Sequence, residues 1–148
     1  MAVIRNPGRV LLCCTNNSLR SPIAEAIIKY FFGKRIYVDS VGLRVGEPDG
    51  FMIEVMDEIG IDLSQHKSKT FEDLEDISFD VIISLSPEAQ HRAVELTRDM
   101  ACEVEFWNTF DPSLTEGNRE ARLNAYRQVR DGLMERLENR FERPSRPI

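Results

Sequence analysis

Cys14 and Arg20 bracket the run Cys-Thr-Asn-Asn-Ser-Leu-Arg, with five residues between them. A thiolate can attack phosphorus. A guanidinium can bind two phosphoryl oxygens at once, stabilising the developing charge better than the point charge of a lysine. The spacing alone is common, but its setting sharpens it: the run follows an apolar stretch and precedes Ser21-Pro22, a cap candidate and a first-turn proline. A loop that leaves a buried strand and enters a helix aims unpaired N–H groups and the positive end of the helix dipole at one point, which makes an anion site. The same field stabilises a thiolate at Cys14, moving its pKa from about 8.5 into a range of roughly 3.5 to 7.5. Thr15, Asn16, Asn17, Ser18, Leu19 and Arg20 are the expected phosphate cradle. The plainer alternative makes Cys14 a buried strand residue and Arg20 a solvated helix-start charge. That plain role is assigned to Cys13, which alternation turns to the opposite side of the strand. Asp111-Pro112 is the only Asp-Pro step in the chain; it reads either as a turn or as a positioned acid.

Such a loop needs a strand before it and a helix behind it. Residues 9–13 form the short apolar run of a strand buried on both faces, and Ile23, Ala26, Ile27 and Tyr30 recur at helical spacing up to Gly33. Residues 36–40 predict a second strand, and Phe51, Val55, Met56 and Ile59 a second helix closed by Gly60. Residues 79–85 predict a third strand, Ser86-Pro87 the start of a helix reaching about residue 98, and residues 102–107 a fourth strand. Leu123, Tyr126, Val129, Leu133, Leu137 and Phe141 trace one face of a long last helix. The alternation implies a single-domain α/β fold: an open four-stranded parallel sheet with helices on both faces and the phosphate loop after strand 1. The domain is expected to span residues 1–142, with a loose tail, 143–148, carrying two prolines.

Composition bounds the function. A chain of 148 residues that is 42% hydrophobic can bury a core without metals or disulfides. A formal charge of -6 argues against a nucleic-acid or anionic-membrane binder and leaves room only for a local basic pocket. Cys13, Cys14 and Cys102 are odd in number and two are adjacent, so no disulfide framework is expected; nothing has zinc spacing, and no metal is expected. No targeting pattern or membrane-length apolar run stands in the sequence, which leads to the expectation of a cytoplasmic protein. Alternating charges such as Glu135, Arg136, Glu138 and Arg140 read as a solvated helix face.

The run CTNNSLRSP resembles the signature of low-molecular-weight protein-tyrosine phosphatases and the related arsenate reductases. Asp39-Ser40-Val41-Gly42, Gly60-Ile61-Asp62 through His66, and Asp111-Pro112 extend the resemblance over nearly the whole chain. It implies the same four-stranded parallel sheet. It also implies that Asn17 holds the turn of the loop through Ser21, Ser40 and His66, a task that suits asparagine's tolerance of left-handed backbone. Asp111 would be the general acid, and later the base for the water that hydrolyses a phosphocysteine intermediate. The implied activity is cysteine-dependent phosphomonoester hydrolysis without a cofactor. The expected partners are a phosphorylated protein or small phosphoester, with inorganic phosphate or a similar oxyanion in the loop.

The chain departs from the family pattern at Ser113 and Leu114, where a tyrosine pair follows the Asp-Pro step, at Asn16 in place of glycine, and at Leu19 in place of a second loop cysteine. Substrate walls are thus expected to be aliphatic and polar, with Leu43, Arg44 and Val45 on the opposing loop. One alternative is an arsenate reductase drawing on an external small thiol, since residues 82–96 contain no cysteine and carry Ser84 and Ser86. The other is a non-catalytic phosphate or phosphoprotein-binding module.

Overall fold

A computed structural model describes residues 6–98 and 100–141; the expected loose tail and the domain's outer limits lie outside the described residues. Four parallel strands, β1 (Arg9–Asn16), β2 (Tyr37–Arg44), β3 (Val81–Ser84) and β4 (Glu103–Phe106), lie in the order β2-β1-β3-β4. Between and after them run α1 (Arg20–Phe32), α2 (Gly50–Asp57), α3 (Pro87–Leu96) and α4 (Arg119–Arg140). The chain leaves β1 for one neighbour and returns to pair with the other, so a ligand crevice opens beyond the carboxyl end of β1.

Every residue of β1 from Val10 to Cys14 is fully buried, as expected of a central parallel strand. Val10, Leu12 and Cys14 pack on one face against Ile23 and Ile27 of α1, Met52 of α2 and Tyr126 and Leu133 of α4. Leu11 and Cys13 pack on the other against Ala89 and Ala93 of α3. Burial of a large aliphatic side chain contributes about 1.5 to 3 kcal/mol, and this double anchoring fixes the strand end that carries Cys14. No helix among the described residues is long and apolar enough to cross a membrane.

The differences from the sequence reading have local causes. Strand β1 runs on to Asn16 because its ladder with β2 continues through Cys14↔Gly42 and Asn16↔Arg44. Tyr30, placed by spacing on the apolar face of α1, is 64% exposed, while Ile28 and Phe32 are buried: α1 is covered by both the sheet and α4, so its buried stripe is wider than one face. Gly33 follows α1 in ordinary right-handed conformation. The need for glycine there is space, since a Cβ would stand 2.3 Å from the Lys29 carbonyl oxygen. Strand β3 is shorter than the apolar run 79–85, and β4 begins after Cys102. Ser86 caps α3 by accepting from the Ala89 amide at 3.3 Å, with Pro87 in the first turn as anticipated.

Candidate active site

Cys14 has no exposed surface. Its Sγ lies 2.9 Å from Ser21 Oγ and donates to the Asn16 carbonyl at 2.9 Å. Burial pushes the Cys14 thiol above its ordinary range; hydrogen bonds from the Ser21 hydroxyl and amide and the charge of Arg20 act against this, and Asp111 reinforces it. Burial thus works against the acidic thiol expected from the sequence. The loop backbone does not offset the burial: the Ser18 amide bonds to the Asn16 carbonyl at 2.6 Å and the Asn17 amide to the Arg44 carbonyl at 3.4 Å. Those amides do not face an anion, and the Asn16 carbonyl holds the sulfur proton. Cys13 faces the opposite layer, as alternation requires, and burial drives its thiol up as well.

Asn17 is fully buried and central. Its Nδ2 donates to Ser21 Oγ at 2.8 Å and to Ser40 Oγ at 2.9 Å, and its Oδ1 accepts from the Lys69 amide at 3.0 Å and lies 3.1 Å from His66 Nε2. The structure thus brings together the four loop-supporting residues expected from the family resemblance. It does so without a left-handed residue, for no described non-glycine residue has positive φ. Gly42 explains how the loop lies so low: a Cβ there would come within 2.5 Å of the Asn17 amide nitrogen. Ser21, read as a helix cap, is not one; α1 starts at Arg20 with no side-chain cap, and the Ser21 hydroxyl serves the sulfur instead. Glu25 was missed. It accepts a hydrogen bond from Ser40 Oγ and an ion pair from Lys29 at 2.5 Å, and its i,i+4 relation to Ser21 on α1 was the available signal.

Arg20 and Asp111 line one cavity of about 50 Å³ together with Asn16, Ser18, Leu19, Asp49 and Ser113; Cys14 does not line it, but the charges of Arg20 and Asp111 reach its thiol. Arg20 donates to the Thr109 carbonyl at 2.9 Å, on the same segment that carries Asp111. Asp111 Oδ1 accepts from the Ser113 amide at 3.0 Å and hydroxyl at 2.6 Å, so the Asp-Pro step is a turn and a cavity wall together. Asp49 is the second residue that sequence reasoning missed. It caps α2 through the Phe51 and Met52 amides and accepts from the Tyr126 hydroxyl at 2.8 Å; only its place before an apolar helix face hinted at it. Thr15 turns away to Ser86 Oγ at 3.0 Å and to Glu88. Leu114 is 73% exposed beyond the cavity, and Leu43, expected as a wall, packs under the sheet with Cys13.

A thiol, a guanidinium and a carboxylate gathered at the carboxyl end of the central strand form a set suited to nucleophilic attack on a tetrahedral oxyanion. A family model described as low molecular weight phosphotyrosine protein phosphatase matches residues 9–143. The glutaredoxin arsenate reductase of Synechocystis sp. is 33% identical over 132 residues, which cover 88% of this chain and 94% of that relative. Among solved structures, an arsenate reductase in its oxidized state superposes with a TM-score of 0.74 at 30% identity, covering 90% of this chain and 95% of the other. The low molecular weight protein tyrosine phosphatase from T. tengcongensis gives a TM-score of 0.71 at 25% identity, covering 88% and 95%. The match begins at the first residue of β1 and runs beyond α4, taking in the loop, its supports and the acid segment alike: the chain belongs to the low molecular weight phosphotyrosine protein phosphatase family.

Proposed function

We propose that this chain is a phosphomonoester hydrolase that works through a phosphocysteine intermediate. The observation that carries the reading is that Arg20 and Asp111 line one small cavity and that the charges of both reach the Cys14 thiol, with no second thiol on that face of the sheet among the described residues. Substrate entry requires the Asn16 carbonyl to turn from the sulfur and the loop amides to turn toward the phosphoryl oxygens. The Arg20 guanidinium then exchanges the Thr109 carbonyl for two of those oxygens. The Cys14 proton, released from the Asn16 carbonyl, passes to Asp111; the Cys14 thiolate then attacks phosphorus as the S–P bond forms and the ester P–O bond breaks, and Asp111 gives that proton to the departing oxygen. In the second step Asp111 takes a proton from water, whose oxygen attacks phosphorus and expels the Cys14 thiolate, leaving inorganic phosphate.

Arsenate reduction with an external thiol is the second reading, supported by relatives and neighbours that carry the name arsenate reductase. An internal relay of cysteines has no support here: β3 and the cap of α3 carry Ser84 and Ser86, and Cys102 packs with the opposite layer. Steady-state hydrolysis of p-nitrophenyl phosphate, run beside Cys14→Ser and beside arsenate with glutathione and glutaredoxin, separates the readings. The phosphatase reading expects phosphate release that disappears in Cys14→Ser. Arsenate-dependent glutathione oxidation without ester hydrolysis would replace it with the reductase. Tight phosphate binding with neither activity would leave a binding module.

A further inference from the structure

We propose that Glu25 is a positioning residue that keeps Ser40 an acceptor for the Asn17 amide, and so steadies the chain Ser40, Asn17, Ser21 through which the Ser21 hydroxyl presents its proton to the Cys14 sulfur. The inference rests on Cys14 as the reacting group, and it follows from which partners can only give and which can only accept. A carboxylate has acceptors alone. Glu25 is 9% exposed and a buried carboxylate needs donors. It has two: Lys29 Nζ at 2.5 Å on one oxygen and Ser40 Oγ on the other. The single proton of Ser40 is thereby committed to Glu25, and toward Asn17, 2.9 Å away, Ser40 can only accept.

The amide of Asn17 is oriented from its other end. The Lys69 amide can only donate, and it lies 3.0 Å from Asn17 Oδ1. His66 Nε2 is 3.1 Å from both Oδ1 and the Asn17 main-chain oxygen, so that ring nitrogen carries the hydrogen. Both Nδ2 protons therefore point to the serines, one to Ser40 and one to Ser21 at 2.8 Å. Ser21 accepts from Asn17, which leaves its own proton for Cys14 Sγ at 2.9 Å. A donor aimed at sulfur favours the thiolate over the thiol. Replacing the carboxylate by an amide at position 25 sets a second NH₂ group against Ser40. The Ser40 proton is then released toward Asn17 Nδ2, where donor meets donor; the Asn17 side chain, its oxygen still held by Lys69 and His66, is pushed off its hydrogen bonds to the serines, and Ser21 is free to turn from the sulfur. The plainer role for Glu25 is an ordinary i,i+4 helix pair with Lys29, whose side chain is 60% exposed; such a pair would not reach the thiol.

The test is the pH dependence of Cys14 alkylation by iodoacetamide, quantified on the Cys14 peptide by mass spectrometry, in wild type, Glu25→Gln, Ser21→Ala and the double variant. Glu25→Gln is expected to move the alkylation midpoint up by about one pH unit, roughly a tenfold loss of thiolate near neutrality. Added to Ser21→Ala it is expected to have no further effect, because the relay has already been cut. An unmoved midpoint in folded Glu25→Gln, or a full additional shift in the double variant, overturns the proposal. Should Glu25→Gln fail to fold, Ser40→Ala breaks the same relay one bond nearer the sulfur and is judged by the same two outcomes. Alkylation reads the thiol whether or not the protein hydrolyses phosphoesters, so failure here is distinct from failure of the phosphatase reading.

Discussion

Asp111 is tied to Ser113 by two hydrogen bonds and shares a cavity with Arg20, which gives its acid role a graded test. Positioned proton donors contribute about 10²- to 10⁴-fold, and only poor leaving groups need the proton. Asp111→Asn is therefore expected to slow alkyl phosphate hydrolysis by about 100-fold or more while leaving p-nitrophenyl phosphate within about tenfold of wild type. Catalytic efficiencies across a leaving-group series provide the check, and an equal loss at every leaving group would make Asp111 a turn residue only. The placing of Cys14 and Arg20 at one strand–loop–helix junction was legible from residue type and spacing; Asp111 read equally as a turn or an acid until the family resemblance singled it out, and the structure sets it on the cavity that Arg20 lines. Asp49 and Glu25 were not legible, because an aspartate before a helix and a glutamate four residues from a lysine have ordinary explanations that hold as well. Their distinguishing contacts, Tyr126 on α4 and Ser40 on β2, lie 77 and 15 residues away in sequence.

The strands and helices were read in the right order, since buried parallel strands and capped amphipathic helices leave strong patterns. Their ends were not, as β2 shows. The apolar run suggested residues 36–40, but the strand continues to Arg44 by pairing with the loop end of β1, a gain that only tertiary contact reveals. Gly42 lies in that extension, its missing Cβ making room for the Asn17 amide. Gly42→Ala is expected to force β2 and the loop apart, at a cost of about 1 to 3 kcal/mol in stability, and to reduce turnover by more than tenfold even where the protein remains folded. Thermal melting beside kcat/KM gives both numbers, and a variant with wild-type values in each would show that the loop yields without harm.

At the scale of the molecule, α4 is fastened to α2 by ions as well as by Tyr126 and Leu133. Arg127 and Arg130 both reach Glu58, at 2.7 and 2.8 Å, and Arg130 also donates to the Val55 carbonyl at 2.8 Å. The hydrogen bonds from Arg127 and Arg130 bring the Glu58 carboxyl from its ordinary 4.5 down to about 2. A carboxyl depressed in the folded state stabilises the fold above its unfolded pKa and loses that contribution as pH falls through the folded one. Glu58 therefore supports the fold above about 4.5 and gives up that support between there and about 2. Urea midpoints measured from pH 6 to pH 3 are expected to fall more steeply in wild type than in Glu58→Gln, with the two curves converging in acid; parallel curves would show that the cluster contributes nothing. Among the charges read as a solvated face, Arg140 turns inward to Glu105 at 2.6 Å and Arg136 lies over the Trp107 ring at 4.4 Å, so that reading holds for only part of the set.

The tether between Arg20 and the Thr109 carbonyl gives the protein an optical property. Trp107 is the only tryptophan. It is 4% exposed and lies under the Arg136 guanidinium at 4.4 Å, and its carbonyl accepts from the Thr109 hydroxyl at 2.7 Å. An oxyanion that draws Arg20 away from Thr109 disturbs the indole's surroundings two residues upstream. Intrinsic fluorescence excited at the tryptophan band is therefore expected to shift during a titration with inorganic phosphate, and to stay flat in Arg20→Ala. Occupancy of the loop could then be followed in unlabelled protein, in real time and without any chemical turnover.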